Sequence, residues 1–272
     1  MKYEEYLKLP GLRASEIKEL WRSPAHYKEY HDNPPEQTAA MKFGEAVHAA
    51  IIEPQRFLQE YTAIDDAEIV AQIGGAKPRA TTRYKEWRAD FILDNLGKEI
   101  LDLADFNKVV EIAQVAGKHP IVEALLNEPG QAEMVLQWKH HSTGTKMKAR
   151  LDWVTDSGRI IDFKTTEDAR ENEFSRAMWK YAYHLQAAVY QEAVEEIIGQ
   201  SFPFTFVVIE KTAPYGLMVY ELDRFTLDFA MSEVDRLIRI YEKCAANDNW
   251  PAYSAEIRSI QLPAWTNVTE VA

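Results

Sequence analysis

Cys244 is the one cysteine in the 272-residue chain, so no internal disulfide framework can form, and the sequence is expected to belong to the reducing cytoplasm. Long apolar runs are also missing. No segment reaches the roughly 20 residues that a membrane-spanning helix requires, and no apolar leader is visible, so neither a membrane association nor a secretory signal is expected. Basic charge is scarce: 31 Lys and Arg face 43 Asp and Glu, for a formal net charge of −12. That balance excludes a uniformly basic surface but not a local basic groove between acidic outer faces. A G-x-x-x-x-G-K-[ST] loop is absent, which excludes a built-in P-loop motor. Internal repeats and low-complexity tracts are absent as well. What remains is the composition of a globular chain, 46% hydrophobic and 27% charged, long enough to bury a full core.

The chain is organised around Lys148 to Thr166, KARLDWVTDSGRIIDFKTT. Lys148, Arg150, Asp152 and Val154 alternate with Ala149, Leu151 and Trp153, and Ile160, Asp162 and Lys164 alternate with Ile161 and Phe163. This period of two predicts two strands, and Thr155-Asp156-Ser157-Gly158 between them predicts a hairpin turn. Asp162 and Lys164 then share one face, and Asp152 on the partner strand can join them. Two carboxylates can hold a hard cation such as Mg²⁺, and a neighbouring ammonium can align a water or offset charge on a phosphate oxygen. A D-x-K string on a solvated hairpin is most often a surface ion pair. Here Ile160, Ile161 and Phe163 make both faces apolar, which predicts a buried strand whose charges need partners.

Other segments supply candidates around this centre. Ser15 is a candidate N-cap for a helix carrying Ile17, Leu20 and Trp21, and Ser23-Pro24 ends it and starts another through Tyr27 and Tyr30. Met41 to Pro54, MKFGEAVHAAIIEP, reads as a helix with Gly44 one turn before His48; Glu45 lies on the same segment. Lys77, Arg79, Arg83, Lys85 and Arg88, with Tyr84 and Trp87, form a basic run suited to phosphate contact or to a solvated helix start. Asp90 to His119 reads as helical, and Ala132 to Trp138 as a strand after a Pro129-Gly130 turn, with Glu133 near its start. Glu173 to Gly199 reads as one long helix on which Tyr183, Gln186 and Tyr190 share a face. An apolar strand ends at Glu210-Lys211, another spans Gly216 to Glu221, and a last helix runs from about Thr226 to Ala246.

The order Asp152, turn, Ile-Ile-Asp162-Phe163-Lys164 resembles the metal-dependent PD-(D/E)xK nucleases. The Ser-initiated helix with Ser-Pro-x-x-Tyr, the F-G-E-A-V-H wording around His48, Gln186-x-x-x-Tyr190, and the Trp-Pro-x-Tyr and Leu-Pro-x-Trp tail resemble the RecE-type exodeoxyribonuclease VIII family, over about Leu9 to Trp265. The resemblance implies a single α/β domain over residues 1–272 with a central mixed sheet flanked by helices. It implies Mg²⁺, with Mn²⁺ as substitute, on His48, Asp152, Asp162 and the carbonyl of Phe163; Lys164 as catalytic lysine; and Gln186 and Tyr190 beside the acids. Glu133 becomes an additional acid, Glu45 a supporting one, and Arg79, Arg83 and Lys211 candidate DNA contacts. The implied activity is 5′ to 3′ degradation of linear duplex DNA in phage-type recombination, by a ring tetramer working with a single-strand annealing protein. Two alternatives stand beside it: a related nuclease acting on single-stranded or flap DNA, and a non-catalytic module that binds DNA ends.

Overall fold

The computed structural model describes residues 3–260. Five short helices open the chain: α1 (Tyr3–Lys8), α2 (Ala14–Arg22), α3 (Pro24–Asp32), α4 (Ala39–Ile52) and α5 (Pro54–Glu60). Strand β1 (Tyr61–Ile64), α6 (Ala67–Ile73), α7 (Thr82–Asp94), β2 (Glu99–Asp102), α8 (Leu103–Lys118) and α9 (Pro120–Asn127) follow. The main sheet then forms from β3 (Gly130–Lys139), β4 (Lys146–Thr155) and β5 (Ile160–Thr166). After α10 (Glu171–Lys180) and α11 (Tyr183–Ile198) come β6 (Phe204–Glu210), β7 (Leu217–Glu221) and α12 (Arg224–Asn247).

The sheet order is β3-β4-β5-β6-β7. Neighbours run antiparallel except β5 and β6, which α10 and α11 join as a parallel crossover. The expected mixed sheet with helices on both faces is therefore present. Ile160, Phe204, Phe206 and Val208 face α2, α10, α11 and α12, whereas Ile161, Phe163, Val207 and Ile209 face α4, α8 and α9. Both faces of β5 are thus covered, the environment that its apolar sequence anticipates.

The hairpin forms as expected, with Gly158 at φ +87°, where a Cβ would lie 2.9 Å from the Phe202 ring. The regular alternation does not hold. Leu151 and Val154 pack on one face of the sheet and Trp153 on the other, so the pattern shifts at Asp152. On the neighbouring strand Glu133, opposite Asp152 in register, has φ +51° and drops out of the β3–β4 ladder. Strands β4 and β5 form only the pairs Trp153–Ile161 and Val154–Ile160 before they diverge. Farther along, the vacated edge of β4 is paired by the N-terminal segment: the Leu12 N–H donates to the Lys146 carbonyl (2.9 Å) and the Lys148 N–H to the Leu12 carbonyl (2.8 Å).

Other boundaries depart from the sequence reading. The N-cap of α2 is Arg13 rather than Ser15, and the Glu16 carboxylate accepts the Arg13 N–H (3.0 Å). Ser23 does cap α3, accepting from the His26 N–H. Helix α4 begins at Ala39, and Pro54 opens α5, where a missing N–H costs nothing. The helix expected over Asp90 to His119 is two helices separated by β2, because Asn95 caps the Phe91 carbonyl, Gly97 turns at φ +87°, and Glu99 to Asp102 pair in parallel with β1. The long helix expected from Glu173 breaks at Ala182, which adopts a left-handed conformation and redirects the chain into α11. The Leu-Pro-x-Trp wording lies outside the described residues.

Gly11 has φ +124°, and a Cβ there would lie 2.8 Å from the Met147 backbone carbon. We expect Gly11→Ala to destabilise the fold by about 1–3 kcal/mol in urea unfolding, since strain and the clash act together. An unchanged midpoint would show that the Leu12–Met147 bridge does not hold the N-terminal segment in place.

Candidate active site

The fork between β4 and β5 gathers the acids. Where the ladder stops, the Phe163 N–H donates to Asp152 Oδ2 (3.0 Å) rather than to a β4 carbonyl. The N–H and carbonyl of a strand residue point to the same side, so the Phe163 carbonyl also faces the fork. His48 arrives from α4 with Nδ1 3.3 Å from Asp152 Oδ2. Gly44, one turn earlier, brings α4 against β5, and a Cβ there would sit 3.8 Å from Thr165 Oγ1.

Asp162 projects to the α11 side and is fully buried, at 0% exposure. Its Oδ1 accepts from Gln186 Nε2 (3.0 Å), and Lys164 Nζ contacts its Oδ2. Gln186 Nε2 also donates to the Tyr190 hydroxyl (2.9 Å). The Lys164 ammonium lies 4.9 Å from the centre of the Tyr183 ring. Burial pushes the Asp162 carboxyl above its usual range, and Lys164 opposes that shift. Burial works against the charge on Lys164, but Asp162 and Asp152 outweigh it, and the lysine is held above its usual value. Asp162, its Oδ2 contacted by Lys164, stands with a second acid, an imidazole and a strand carbonyl, a donor set whose chemistry fits a divalent metal ion.

Residues 14–263 match the profile of a family described as a PDDEXK-like domain of unknown function (DUF3799). The chain belongs to this PDDEXK-like family. A search among curated proteins gives no match. Among solved structures, a candidate exonuclease from Eubacterium rectale is similar with a TM-score of 0.60 and 16% identity, covering 99% of both chains; at that identity the likeness shows a shared fold. An alkaline exonuclease from Laribacter hongkongensis has 16% identity over 75% of this chain and 98% of its own, with a TM-score of 0.29. Family membership supports a nuclease.

The fork brings together His48, Asp152, Asp162, Phe163, Lys164, Gln186 and Tyr190. Glu133 stands at its margin, in an ion pair with Arg150 Nε (2.7 Å), and burial raises its carboxyl despite that guanidinium. Glu45, also raised by burial, accepts from Gln37 Nε2 (2.7 Å). Arg79 and Arg83 are not part of this cluster: Asp66 grips Arg79 through two bonds of 2.6 and 2.8 Å, and Arg83 donates to Gln72 (3.1 Å). Lys211 lines a cleft of about 620 Å³ that opens beside the end of β5, together with Thr165, Arg176, Lys180, Tyr181 and Tyr183.

Lys18 was not anticipated. Its Nζ donates to Gln186 Oε1 (3.2 Å) and lies 5.2 Å from the centre of the Tyr183 ring. With Oε1 held by Lys18, the Gln186 amide must turn Nε2 toward Asp162, so the lysine fixes the amide orientation. The signal was present: Lys18 shares a helical face with Ala14, Ile17 and Trp21, an inward position for a charged residue. Burial lowers its pKa to about 7, and Lys164 adds to that shift.

Between about pH 7 and the ordinary lysine value of 10.5 the unfolded chain holds a Lys18 proton that the folded chain does not, so this group makes stability rise with pH across that window. Lys18→Met should flatten that part of the slope. Urea midpoints for both proteins near the two ends of the window test this, and parallel slopes would show that Lys18 keeps its proton throughout.

Proposed function

We propose that the protein is a divalent-metal-dependent deoxyribonuclease that degrades linear duplex DNA from its ends. The observation that carries this reading is the fork, where Asp152 and Asp162 meet a buried lysine held against the second acid. A non-catalytic DNA-binding module has no use for an ammonium desolvated beside two metal-ligating carboxylates, because that arrangement costs stability.

His48, Asp152, Asp162 and the Phe163 carbonyl would hold Mg²⁺, with Mn²⁺ as a substitute. When bound, the ion supplies Lewis acidity toward a water and the scissile phosphate. The protein groups do the remaining work. Lys164, kept charged by the acids, offsets negative charge building on the phosphate oxygens and orients the attacking water. Gln186, locked by Lys18 and Tyr190, holds the Asp162 carboxylate in one orientation. Asp152 is fixed by the Phe163 N–H and His48. Such preset geometry lowers the reorganisation needed at the moment of reaction.

The cleft beside β5 is the proposed path for the DNA end. Lys211 pairs there with Glu167 (2.6 Å) and Arg176 with Glu173 (2.6 Å), so an entering phosphate has to displace carboxylates. Lys180, Arg176 and Lys211 nevertheless concentrate basic groups on this cleft, which gives a chain of net charge −12 a local place to bind DNA. Arg79 and Arg83 are assigned an outlying contact at most, since Asp66 and Gln72 already engage them. The 5′ to 3′ polarity, the ring tetramer, the recombination role and the single-strand annealing partner are proposed from the RecE-type resemblance.

The test is digestion of linear duplex DNA labelled separately at its 5′ and 3′ ends, with Mg²⁺ or EDTA. The wild type should release the 5′ label as mononucleotide only with Mg²⁺, and Asp162→Ala should be inactive. Release of the 3′ label first would reverse the polarity, and activity in Asp162→Ala would remove the site assignment. Lys164→Ala should retain metal affinity by calorimetry and lose roughly a hundred- to a thousandfold in turnover. Replacing Lys211 by Ala should weaken DNA binding and reduce its salt dependence, measured by fluorescence anisotropy; an unchanged salt slope would place the DNA elsewhere.

A further inference from the structure

A second cluster of ligating groups lies at the turn between β3 and β4, built from none of the residues of the fork. One ligand atom each of His140, His141 and Asp235 lie within 4.8 Å of one another. Glu192 of α11 flanks both rings, with its Oε1 3.6 Å from His140 Nε2 and 3.3 Å from His141 Nδ1. Asp235 Oδ1, from α12, is 3.8 Å from His140 Nε2. A tetrahedral Zn²⁺ site with bonds of ~2.0–2.1 Å has its donor atoms about 3.3–3.4 Å apart, so these separations are close to those around a bound ion.

The proton bookkeeping singles out His140. Thr145 Oγ1 donates its one proton to Glu242 (2.6 Å), so the Thr143 hydroxyl, 2.8 Å away, is the donor of that pair. Ser142 Oγ likewise gives its proton to Asp235 Oδ1 (2.5 Å). Both hydroxyls that face His140 Nδ1, at 3.2 and 3.3 Å, are therefore acceptors. Nδ1 must carry the ring proton, and Nε2 of the neutral ring is a bare lone pair. That lone pair, on a side chain only 1% exposed, faces two carboxylates beyond hydrogen-bond reach. Glu192 Oε1 also accepts from the His141 N–H (3.2 Å) and Asp235 Oδ1 from Ser142 (2.5 Å), and a cation between these oxygens and the His140 lone pair would complete the arrangement.

We infer that His140 Nε2, a ring nitrogen of His141 and the Asp235 carboxylate, with Glu192 beside them, bind one transition-metal dication of the Zn²⁺ class. The chain His140 Nδ1–H to Thr143 to Thr145 to Glu242 is the kind of outer support that fixes the tautomer of a metal-binding histidine. The Asp235 carboxylate is oriented in the same way by Ser142 and by Arg239 (2.9 Å). Bound there, the ion would tie the β3–β4 turn to α11 and α12, whose other contacts shape the fork.

The experiment uses the full chain carrying Asp162→Ala, stripped with chelator, so that the proposed nuclease centre is disabled and failure of that reading does not affect the outcome. One equivalent of Zn²⁺ should bind by calorimetry, and Co²⁺ should give the intense visible absorption of a four-coordinate site. His141→Ala, at an exposed ring, and Asp235→Asn should each weaken binding at least about tenfold, and Thr143→Val, which breaks the supporting chain, by about tenfold. No uptake of Zn²⁺ would overturn the inference, as would equal uptake by His141→Ala and Asp235→Asn, which marks an adventitious ion only.

Discussion

The early parting of β4 and β5 is the constraint on which the site depends. Two ladder pairs hold the strands together at the turn, and beyond them the Phe163 N–H requires a partner that β4 no longer provides. A buried N–H left unpaired costs on the order of 1–3 kcal/mol, and Asp152 meets that need with a carboxylate. The same bond that completes the backbone accounting therefore places an acid against the strand that carries Asp162. The vacated edge of β4 is closed by Leu12, which brings α2 and its Lys18 over the fork. Backbone satisfaction and assembly of the fork cluster are one event here.

The charges in the fork are arranged as linked pairs. Asp162 and Lys164 form a buried ion pair, which is weak evidence for stability because desolvation takes back most of the Coulombic gain. The proposed nuclease function gives a reason to retain such a pair at that cost. Glu133 is matched by Arg150, whose guanidinium also stacks 4.6 Å from the Tyr3 ring, and Lys18 fixes the Gln186 amide orientation through a hydrogen bond to Oε1. The acids nearest the fork thus differ in availability: Glu133 is already engaged by arginine, whereas Asp152 and Asp162 share theirs with an imidazole and an ammonium.

The His140 cluster shows the same logic at the opposite end of β4. A short hydroxyl chain sets a tautomer, and that tautomer leaves a lone pair facing acids. In both places hydrogen bonds to the backbone or to neighbouring hydroxyls determine which atoms remain free for a ligand.

The sequence by itself determined the central hairpin, the buried character of β5, and the shared face of Asp162 and Lys164, because period-two alternation and a Gly158 turn are local properties. It also placed Gln186 and Tyr190 on one helical face, which needs only the 3.6-residue repeat. Tertiary structure decided the rest. The break at Ala182, the strand β2 inside an apparently helical stretch, and the shift in alternation at Asp152 arise from packing and ladder partners far away in sequence. Lys18 reaches Gln186 across 168 positions, and His48 reaches Asp152 from another helix. Those approaches carry no local signature, because they are set by where the two sheet faces bury their helices, and that is a property of the whole chain.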